Sequence, residues 1–304
     1  MMTTAAPSGS PAAAPAKPLR GDSPAATAVF WGVTCIAAVL ALWFMATAGE
    51  AETRMIGPAT LPSPAETVRA VPAVFGERRL VANTLVTLGR VGVGFGLSGL
   101  VGVPLGVLAA CFPAFRSFLT PLTIFGRNIP VAALIPLTFF FFGIGEMQKV
   151  MFLFIASVAF VVSDTTAAVL EVPQRYVDTA LTLGASRLQI ILKVLVPLAA
   201  PAIANSLRLL FGIAFGYVML AEVVKLGGDT GGLGDLINVS QRRGEREPIL
   251  IVLVIIPLVA YAIDRALWWL QCDLFPHRYG GRGLVPRLWQ GLWHGFADPL
   301  EGVS

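Results

Sequence analysis

Six long apolar segments divide this chain, and they constrain its fold more than any other feature of the sequence. Each has about 20 residues or more, the length that an α-helix needs to cross the hydrocarbon core of a bilayer. Charged residues make up 13% of the 304-residue chain and its mean hydropathy is +0.75, so a soluble fold could not hide the apolar surface. We therefore predict an all-α, polytopic membrane protein with about six transmembrane helices. The predicted spans are residues 28–48, 83–112, 118–142, 148–170, 194–221 and 248–271.

The segments around the spans divide the chain into four parts. Residues 1–27 are rich in Ala, Pro and Ser without an apolar period, which predicts a disordered tail. Residues 28–82 hold the first span and a solvated connector with one short amphipathic helix, and residues 83–271 hold the core with a connecting segment at 171–193. Residues 272–304 form a second tail, in which apolar side chains at helical spacing predict an interfacial helix. The residues with that spacing are Leu288, Trp289, Leu292, Trp293 and Phe296.

Residue types that carry catalysis or bind cofactors are scarce. None of the four lysines follows a glycine, which excludes a GxxxxGK[ST] phosphate-binding loop. His277 and His294 both lie in the second tail, so the spans offer no histidine for a metal site or a catalytic triad. The net charge of +4 is spread along the chain without a basic cluster, which fits an anionic lipid surface rather than nucleic acid. We expect no catalytic residue, no cofactor and no metal site.

The segment between the fourth and fifth spans has the clearest local pattern. Pro173 begins an amphipathic stretch that runs to Gly184, a residue type that ends helices readily in a left-handed conformation. Ser186 and Gln189 then have the spacing of a capping box, which begins a second helix. The sequence predicts a short surface helix, a tight turn and a helix that enters the membrane. On these residues alone, the short helix either binds a partner or only stabilises the interface.

The spacing of this segment is similar to that of a family motif. Residues 178–197 keep the spacing EAA-x3-G-x9-I-x-L-P, which marks the cytoplasmic coupling loop of binding-protein-dependent ABC importer permeases. Asp replaces Glu, Thr replaces the first Ala, and Val replaces both Ile and Leu. Other segments resemble the nitrate/sulfonate/taurine branch of that family, although Asp164-Thr165 stands where Asn-Thr is expected. These segments are LPSPAETV at 61–68, TLGRVGVGFGLSGLVGVPLG at 87–106, IPVAALIPLTFFFFGIGEMQKV at 129–150, AEVV at 221–224 and GLG at 232–234.

The resemblance implies a type I ABC importer permease fold and a set of partners. A separate ABC ATPase subunit would engage the coupling loop, an extracytoplasmic binding protein would deliver the substrate, and a second permease copy would complete the pathway. The substrate would be a small anion or polar organic solute such as nitrate, taurine or an alkanesulfonate. The residues implied in coupling to the ATPase are Arg175, Asp178, Thr179, Ala180, Gly184, Ser186 and Arg187.

The orientation follows from the resemblance and not from charge. With six spans, nine Lys and Arg residues fall in the segments on each side of the membrane, so the positive-inside rule does not decide between the two orientations. A cytoplasmic coupling loop implies that both termini are cytoplasmic, in a multi-pass protein of the cytoplasmic (inner) membrane.

Charged side chains inside the predicted spans are functional candidates, because a charge at the bilayer centre costs about 2.5–3.5 kcal/mol even on lenient scales. We expect them to line the substrate pathway, or alternatively to pair with one another or with backbone carbonyls and hold the bundle together. The pathway candidates are Arg90, Arg127, Asp164 and Arg208. Asp264 and Arg265, near the end of the last span, are expected only to pair or to reach the interface.

Two other classes of protein compete with the importer permease. A self-sufficient secondary transporter or channel would need an inverted internal repeat or a buried cluster of ion-binding carboxylates, and neither is evident in the sequence. A purely structural scaffold would leave the spacing of residues 178–197 unexplained.

Overall fold

The computed structural model describes residues 25–49, 54–57, 60–224 and 231–279, and every regular element in those ranges is a helix. This agrees with the predicted all-α class. Most of the predicted N-terminal tail and the interfacial helix predicted at 288–296 lie outside the described residues.

The chain forms two compact units, Met1–Pro64 and Ala65–Ser304. The first unit contains α1 (Ala25–Ala46), a 22-residue apolar helix at the position of the first predicted span. Near the end of α1, the Trp43 indole N–H donates a hydrogen bond to the Pro62 carbonyl at 3.0 Å. This bond ties the connector back to the helix.

The second unit begins with the short amphipathic helix that was predicted in the connector and continues with the core helices. A 3-10 turn at Val131–Ala133 precedes α5, and a π-helical turn at Ile191–Leu195 joins α8 to α9 without a break. The helices are α2 (Pro64–Gly76), α3 (Leu80–Cys111), α4 (Pro113–Asn128), α5 (Leu134–Phe142), α6 (Glu146–Leu170), α7 (Gln174–Thr182), α8 (Arg187–Ile190), α9 (Val196–Val223), α10 (Leu233–Arg243), α11 (Glu247–Leu274) and α12 (Pro276–Tyr279).

Five helical segments within the described residues are long and apolar enough to cross a membrane, and a bent pair of helices supplies a sixth crossing if it counts as one span. The five are Val29–Ala46, Leu80–Cys111, Glu146–Leu170, Arg187–Val223 and Glu247–Leu274. Each overlaps a predicted span. The count of about six therefore holds only with the bent pair included.

The prediction of one continuous helix over 118–142 is wrong. In this region α4 and the helical segment Val131–Phe142 meet at 92°. The break lies at Ile129 and Pro130, which both have extended backbone with ψ of 129° and 113°. A residue before proline is pushed out of the helical region by the ring, and proline itself has no N–H to continue the helix.

Close packing of α3 against α6 forms the centre of the core. Five glycines of α3, at positions 92, 96, 99, 102 and 106, are predicted to permit close helix packing, and the last two contact α6. A Cβ on Gly106 would lie 2.6 Å from the Thr165 Cβ, and one on Gly102 would lie 2.7 Å from Val161. Gly94, which the prediction missed, faces Leu153 in the same way at 2.7 Å. At positions 92, 96 and 99 a Cβ would meet nothing within 4 Å, so these glycines lie away from the α6 contact.

This geometry predicts opposite effects for the same added methyl group. Gly106→Ala should lower the free energy of unfolding by about 1–3 kcal/mol, because the new Cβ must displace α6 from α3. Gly99→Ala is the matched control, and it should leave stability unchanged or raise it by up to about 1 kcal/mol, since alanine is the better helix former. Thermal unfolding of the purified chain in detergent measures both variants. Equal destabilisation by the two substitutions would contradict the packing described.

Candidate functional site

The end of α7 is closed by a complete Schellman motif. The Ala185 N–H donates to the Ala180 carbonyl at 3.0 Å, and the Gly184 N–H donates to the Leu181 carbonyl at 2.9 Å. Gly184 has a φ of +79°, a conformation that glycine adopts without steric cost. The tight turn that the sequence predicts after this helix is confirmed.

The second helix begins with the predicted capping box. The Gln189 N–H donates to the Ser186 Oγ at 3.4 Å, and the Ser186 N–H donates to the Gln189 Oε1 at 2.8 Å. Pro173 lies one residue before α7 rather than within its first turn. Both ends of the turn are therefore fixed by local hydrogen bonds, which hold α7 at a set angle to the membrane helix that follows.

Residues 173–190, which we call the α7–α8 element, present apolar side chains outward, and the element ends in the first turn of the span Arg187–Val223. Tyr176 is 40% exposed, Leu181 53%, Leu183 83% and Leu188 65%. Of the residues implied in coupling, Ala180 is buried against the body of the protein, while the others are exposed on this element. The exposed ones are Arg175, Asp178, Thr179, Gly184, Ser186 and Arg187. An exposed apolar patch with charged residues around it is typical of a surface that binds another protein.

A second site surrounds Arg90, and it consists of Asn83, Thr87, Arg90, Glu146, Glu222 and the backbone of Gly231–Gly234. We call this set the Arg90 cluster. The guanidinium donates to both oxygens of Glu146, from Nε at 2.6 Å and from Nη2 at 2.6 Å. Its Nη1 donates to Glu222 at 2.5 Å and to the Gly231 carbonyl at 2.9 Å. The side chains of Arg90 and Glu222 are 3% and 0% exposed, so this ion pair is fully desolvated.

The start of α10 is bound into the same cluster. The Gly234 N–H donates to Glu222 at 2.9 Å, and the Leu233 N–H donates to the Thr87 Oγ1, which itself donates to Glu222. A Cβ on Gly232, whose φ is +111°, would lie 2.5 Å from both the Arg90 guanidinium and the Glu222 carboxylate. Only glycine therefore allows this loop to approach the ion pair.

The sequence marked Arg90 but not its partners. Glu146 and Glu222 lie in the segments FGIGE and AEVV, and the glycines belong to GLG at 232–234, all of which carried the family resemblance. The structure shows that these separate motifs meet at one guanidinium. The joint occurrence of these motifs in one sequence was the available signal for the cluster. Hydropathy and residue spacing gave no indication that Glu146 and Glu222 pair with Arg90.

A polar strip crosses the faces of α4, α6 and α9. It comprises Arg127, Ser163, Asp164, Asn205 and Ser206. The Arg127 Nη1 donates to the Ser163 Oγ at 2.5 Å, and its guanidinium lies over the Phe160 ring at 5.3 Å from the ring centre. Asp164, Asn205 and Ser206 line a cavity of about 420 Å³ between α6 and α9, with Glu171 and Arg278 at its border.

Arg208 lies apart from the polar strip and pairs with the last span. Its Nε is 3.6 Å from Asp264 on α11, and its Nη2 donates to the Asn205 Oδ1 at 3.3 Å. Asp264 also pairs with Arg265 at 3.2 Å, which confirms the pairing expected for these two residues. Arg208 thus touches the polar strip only through Asn205.

The four residues predicted to line the pathway are therefore separated into three places. For Arg90 the alternative of pairing fits its contacts, because two carboxylates and a carbonyl surround its guanidinium. For Arg127, Asp164 and Arg208 a pathway role stays a prediction. Within the described residues no group of three or more His, Cys, Asp or Glu side chains is arranged to hold a metal ion.

Comparison with known proteins places the chain among transport proteins. The family described as "Binding-protein-dependent transport system inner membrane component" matches residues 102–271. A putative ABC transporter permease protein of Methanocaldococcus jannaschii is 33% identical over 67% of this chain and 76% of its own length. The taurine transport system permease protein of Escherichia coli is 28% identical over 83% and 91%. The bicarbonate transport system permease protein of a Synechocystis species is 29% identical over 66% and 71%.

Solved structures of ABC transporters share the fold of this chain. The methionine ABC transporter MetNI in an inward-facing conformation matches with a TM-score of 0.57 and 25% identity, over 63% of this chain and 94% of that one. A bacterial alginate ABC transporter, solved in complex with its alginate-bound periplasmic protein, matches with a TM-score of 0.50 and 17% identity over 85% and 98%. These structures are type I importers, and the alternative of a self-sufficient secondary transporter finds no support among them. The chain belongs to the family of binding-protein-dependent transport system inner membrane components, as a multi-pass permease subunit of an ABC importer.

Proposed function

We propose that this permease, together with a second copy of itself, forms the inner-membrane pathway for a small anionic or polar organic solute of the taurine or bicarbonate kind. The relatives named for taurine and bicarbonate support this substrate range. As a permease subunit the chain does not catalyse ATP hydrolysis, which belongs to a separate ATPase subunit. An extracytoplasmic binding protein delivers the solute.

The observation that carries this proposal is the exposed α7–α8 element. Three of its apolar side chains, Tyr176, Leu181 and Leu183, lie outside the spans, where they need a protein partner rather than lipid, and Leu188 lies in the first turn of the next span. The ATPase subunit supplies that partner by receiving α7 in a groove on its surface. The hydrogen bonds at Gly184 and Ser186 fix α7 to the helix that continues through α9. Movement of the ATPase is thereby passed to a helix that borders the polar strip.

A cytoplasmic α7–α8 element fixes the rest of the topology. Counting the bent pair as one crossing, the helices from α3 through α6 and α9 to α11 alternate in direction. Both termini then lie in the cytoplasm, and the Arg90 cluster lies toward the extracytoplasmic side, where the binding protein arrives.

The break after α4 supports the polar strip as the face of the pathway. Backbone groups that no helix satisfies are tolerated at membrane depth only where protein buries them or where they line a water-filled space. The end of α4 leaves such carbonyls next to Arg127, which is exposed on the same helix end. Water in a shared pathway between two permease copies satisfies both groups.

The turn at Gly184 gives the first test of this proposal. Gly184→Val should abolish substrate-stimulated ATP hydrolysis by the reconstituted importer or release the ATPase subunit, because a β-branched residue is a steric outlier at positive φ. A Cβ at this position would meet nothing within 4 Å, so the cost comes from the backbone alone and the spans should stay folded.

Gly184→Asn is the matched control, since asparagine tolerates the left-handed conformation and should keep most of the stimulation. Asp178→Asn on the exposed face of α7 should weaken stimulation only partly, because an exposed ion pair contributes about 0–1 kcal/mol. Wild-type stimulation in the Gly184→Val complex would refute the assignment of residues 173–190 as the coupling element.

The Arg90 cluster has a different role in this proposal, as a clamp that holds α3, α6, α9 and α10 together. Arg90→Gln should lower the free energy of unfolding by about 3–5 kcal/mol, because it leaves the Glu222 carboxylate buried without its counter-charge. Combining Arg90→Gln with Glu222→Gln should restore part of that loss, since no uncompensated charge remains.

Chemical unfolding in detergent measures these stabilities, with Arg69→Gln on an exposed part of α2 as a control expected within about 0.5 kcal/mol of wild type. If Arg90→Gln keeps wild-type stability but loses solute uptake, Arg90 acts in the pathway and the clamp is refuted.

A further inference from the structure

The polar strip and its cavity carry charges of both signs in equal number. Among the described residues, Arg127 and Arg278 supply two positive charges, and Asp164 and Glu171 supply two negative charges. A passage that serves a simple anion gains from an excess of positive charge, because the excess raises the local anion concentration. The described part of this passage has no such excess, and a second copy of it would leave the balance unchanged.

Asp164 is the least expected of these charges. It lies within the span of α6, lines the cavity of about 420 Å³ and is partly exposed to it. Among the residues that the structure describes, Asp164 forms no hydrogen bond and no ion pair, although the Arg127 guanidinium is near enough to interact with it electrostatically. Its carboxylate is therefore available to a solute, and it would repel an anion that passes by.

Arg127, in the last turn of α4, is available in the same way. One of its N–H groups donates to Ser163, the residue before Asp164, and its ring contact is with Phe160. The side chain is otherwise exposed. A guanidinium presents five N–H groups, so most of its donors remain free to bind a sulfonate or carboxylate oxygen.

We propose that the pathway of this permease selects zwitterionic solutes over simple anions, with Asp164 receiving the ammonium group and Arg127 the acidic group. The proposal rests on the proposed function and narrows its substrate class to small amino-sulfonates or amino acids. Asp164 is the specificity-determining residue, because an asparagine in its place would remove the attraction for an ammonium and the repulsion of an anion together. Asparagine has nearly the same size and shape as aspartate, so the Asn variant should fold.

The test uses the complete importer in proteoliposomes, with its ATPase subunit and the same binding protein throughout, so that any change in selectivity arises in the permease. Uptake is measured for taurine and β-alanine, which are zwitterions, and for isethionate and bicarbonate, which are anions. Isethionate differs from taurine only by a hydroxyl group in place of the ammonium. The wild-type importer should carry taurine at least tenfold faster than isethionate.

Asp164→Asn should lower taurine uptake at least tenfold and leave isethionate uptake unchanged or raised, while Asp164→Glu should keep the preference for taurine. The matched control is Glu77→Gln, which removes the same charge from an exposed site after α2 and should change neither rate. Faster uptake of isethionate or bicarbonate than of either zwitterion by wild type would overturn the proposal. An equal loss of taurine and isethionate uptake in Asp164→Asn would also overturn it.

Stimulation of ATP hydrolysis by the loaded binding protein separates this failure from failure of the proposed function. If stimulation is present and selectivity does not follow Asp164, the chain is an importer permease without the proposed zwitterion site. If the ATPase subunit neither binds the permease nor responds to the binding protein, the proposed function itself fails.

Discussion

A guanidinium buried in an apolar bundle must find its counter-charges inside the protein, and Arg90 finds them on two other helices. Its bonds reach Glu146 on α6, Glu222 on α9 and the loop that begins α10. Because Glu222 is 0% exposed, neither water nor lipid headgroups can replace its contact with Arg90, whereas Glu146 is 56% exposed. The positions of four helices relative to one another therefore depend on one arginine, and so do the glycines that let the α10 loop approach it.

The bilayer imposes a second constraint, on the backbone. At Ile129 and Pro130 the chain leaves the helical conformation, and the carbonyls at the end of α4 lose their helical partners. A cation in the last turn of a helix is favourable, which places Arg127 where the helix end is already polar. The helix break, Arg127 and the carboxylate of Asp164 therefore lie in one region. Each polar group there lowers the energetic cost of placing another polar group beside it.

Features with short-range signals could be predicted from the sequence, and features that depend on a partner helix could not. Ser186 and Gln189 are three residues apart, so their capping box is readable in one window, as is the turn at Gly184. The partners Arg90 and Glu222 are 132 positions apart, and no local pattern assigns one to the other. The glycines of α3 illustrate a related limit: a row of small residues shows that close packing is feasible, but the face that meets α6 depends on where Leu153, Val161 and Thr165 lie. The break at Pro130 was visible as a proline, yet the apolar run around it favoured one continuous span.

The unbroken helical segment Arg187–Val223 has a mechanical consequence that arises from its length. Its 37 residues extend for about 55 Å, while the hydrocarbon core is only about 30 Å thick. One end joins the turn at Gly184 and the other bears Glu222 in the Arg90 cluster. If the clamped end acts as a pivot, a rotation of about 5° displaces the turn by about 5 Å, close to one helical pitch. A small rotation of this helix can then move the turn at the cytoplasmic surface by several ångströms while the packing near Arg90 scarcely changes.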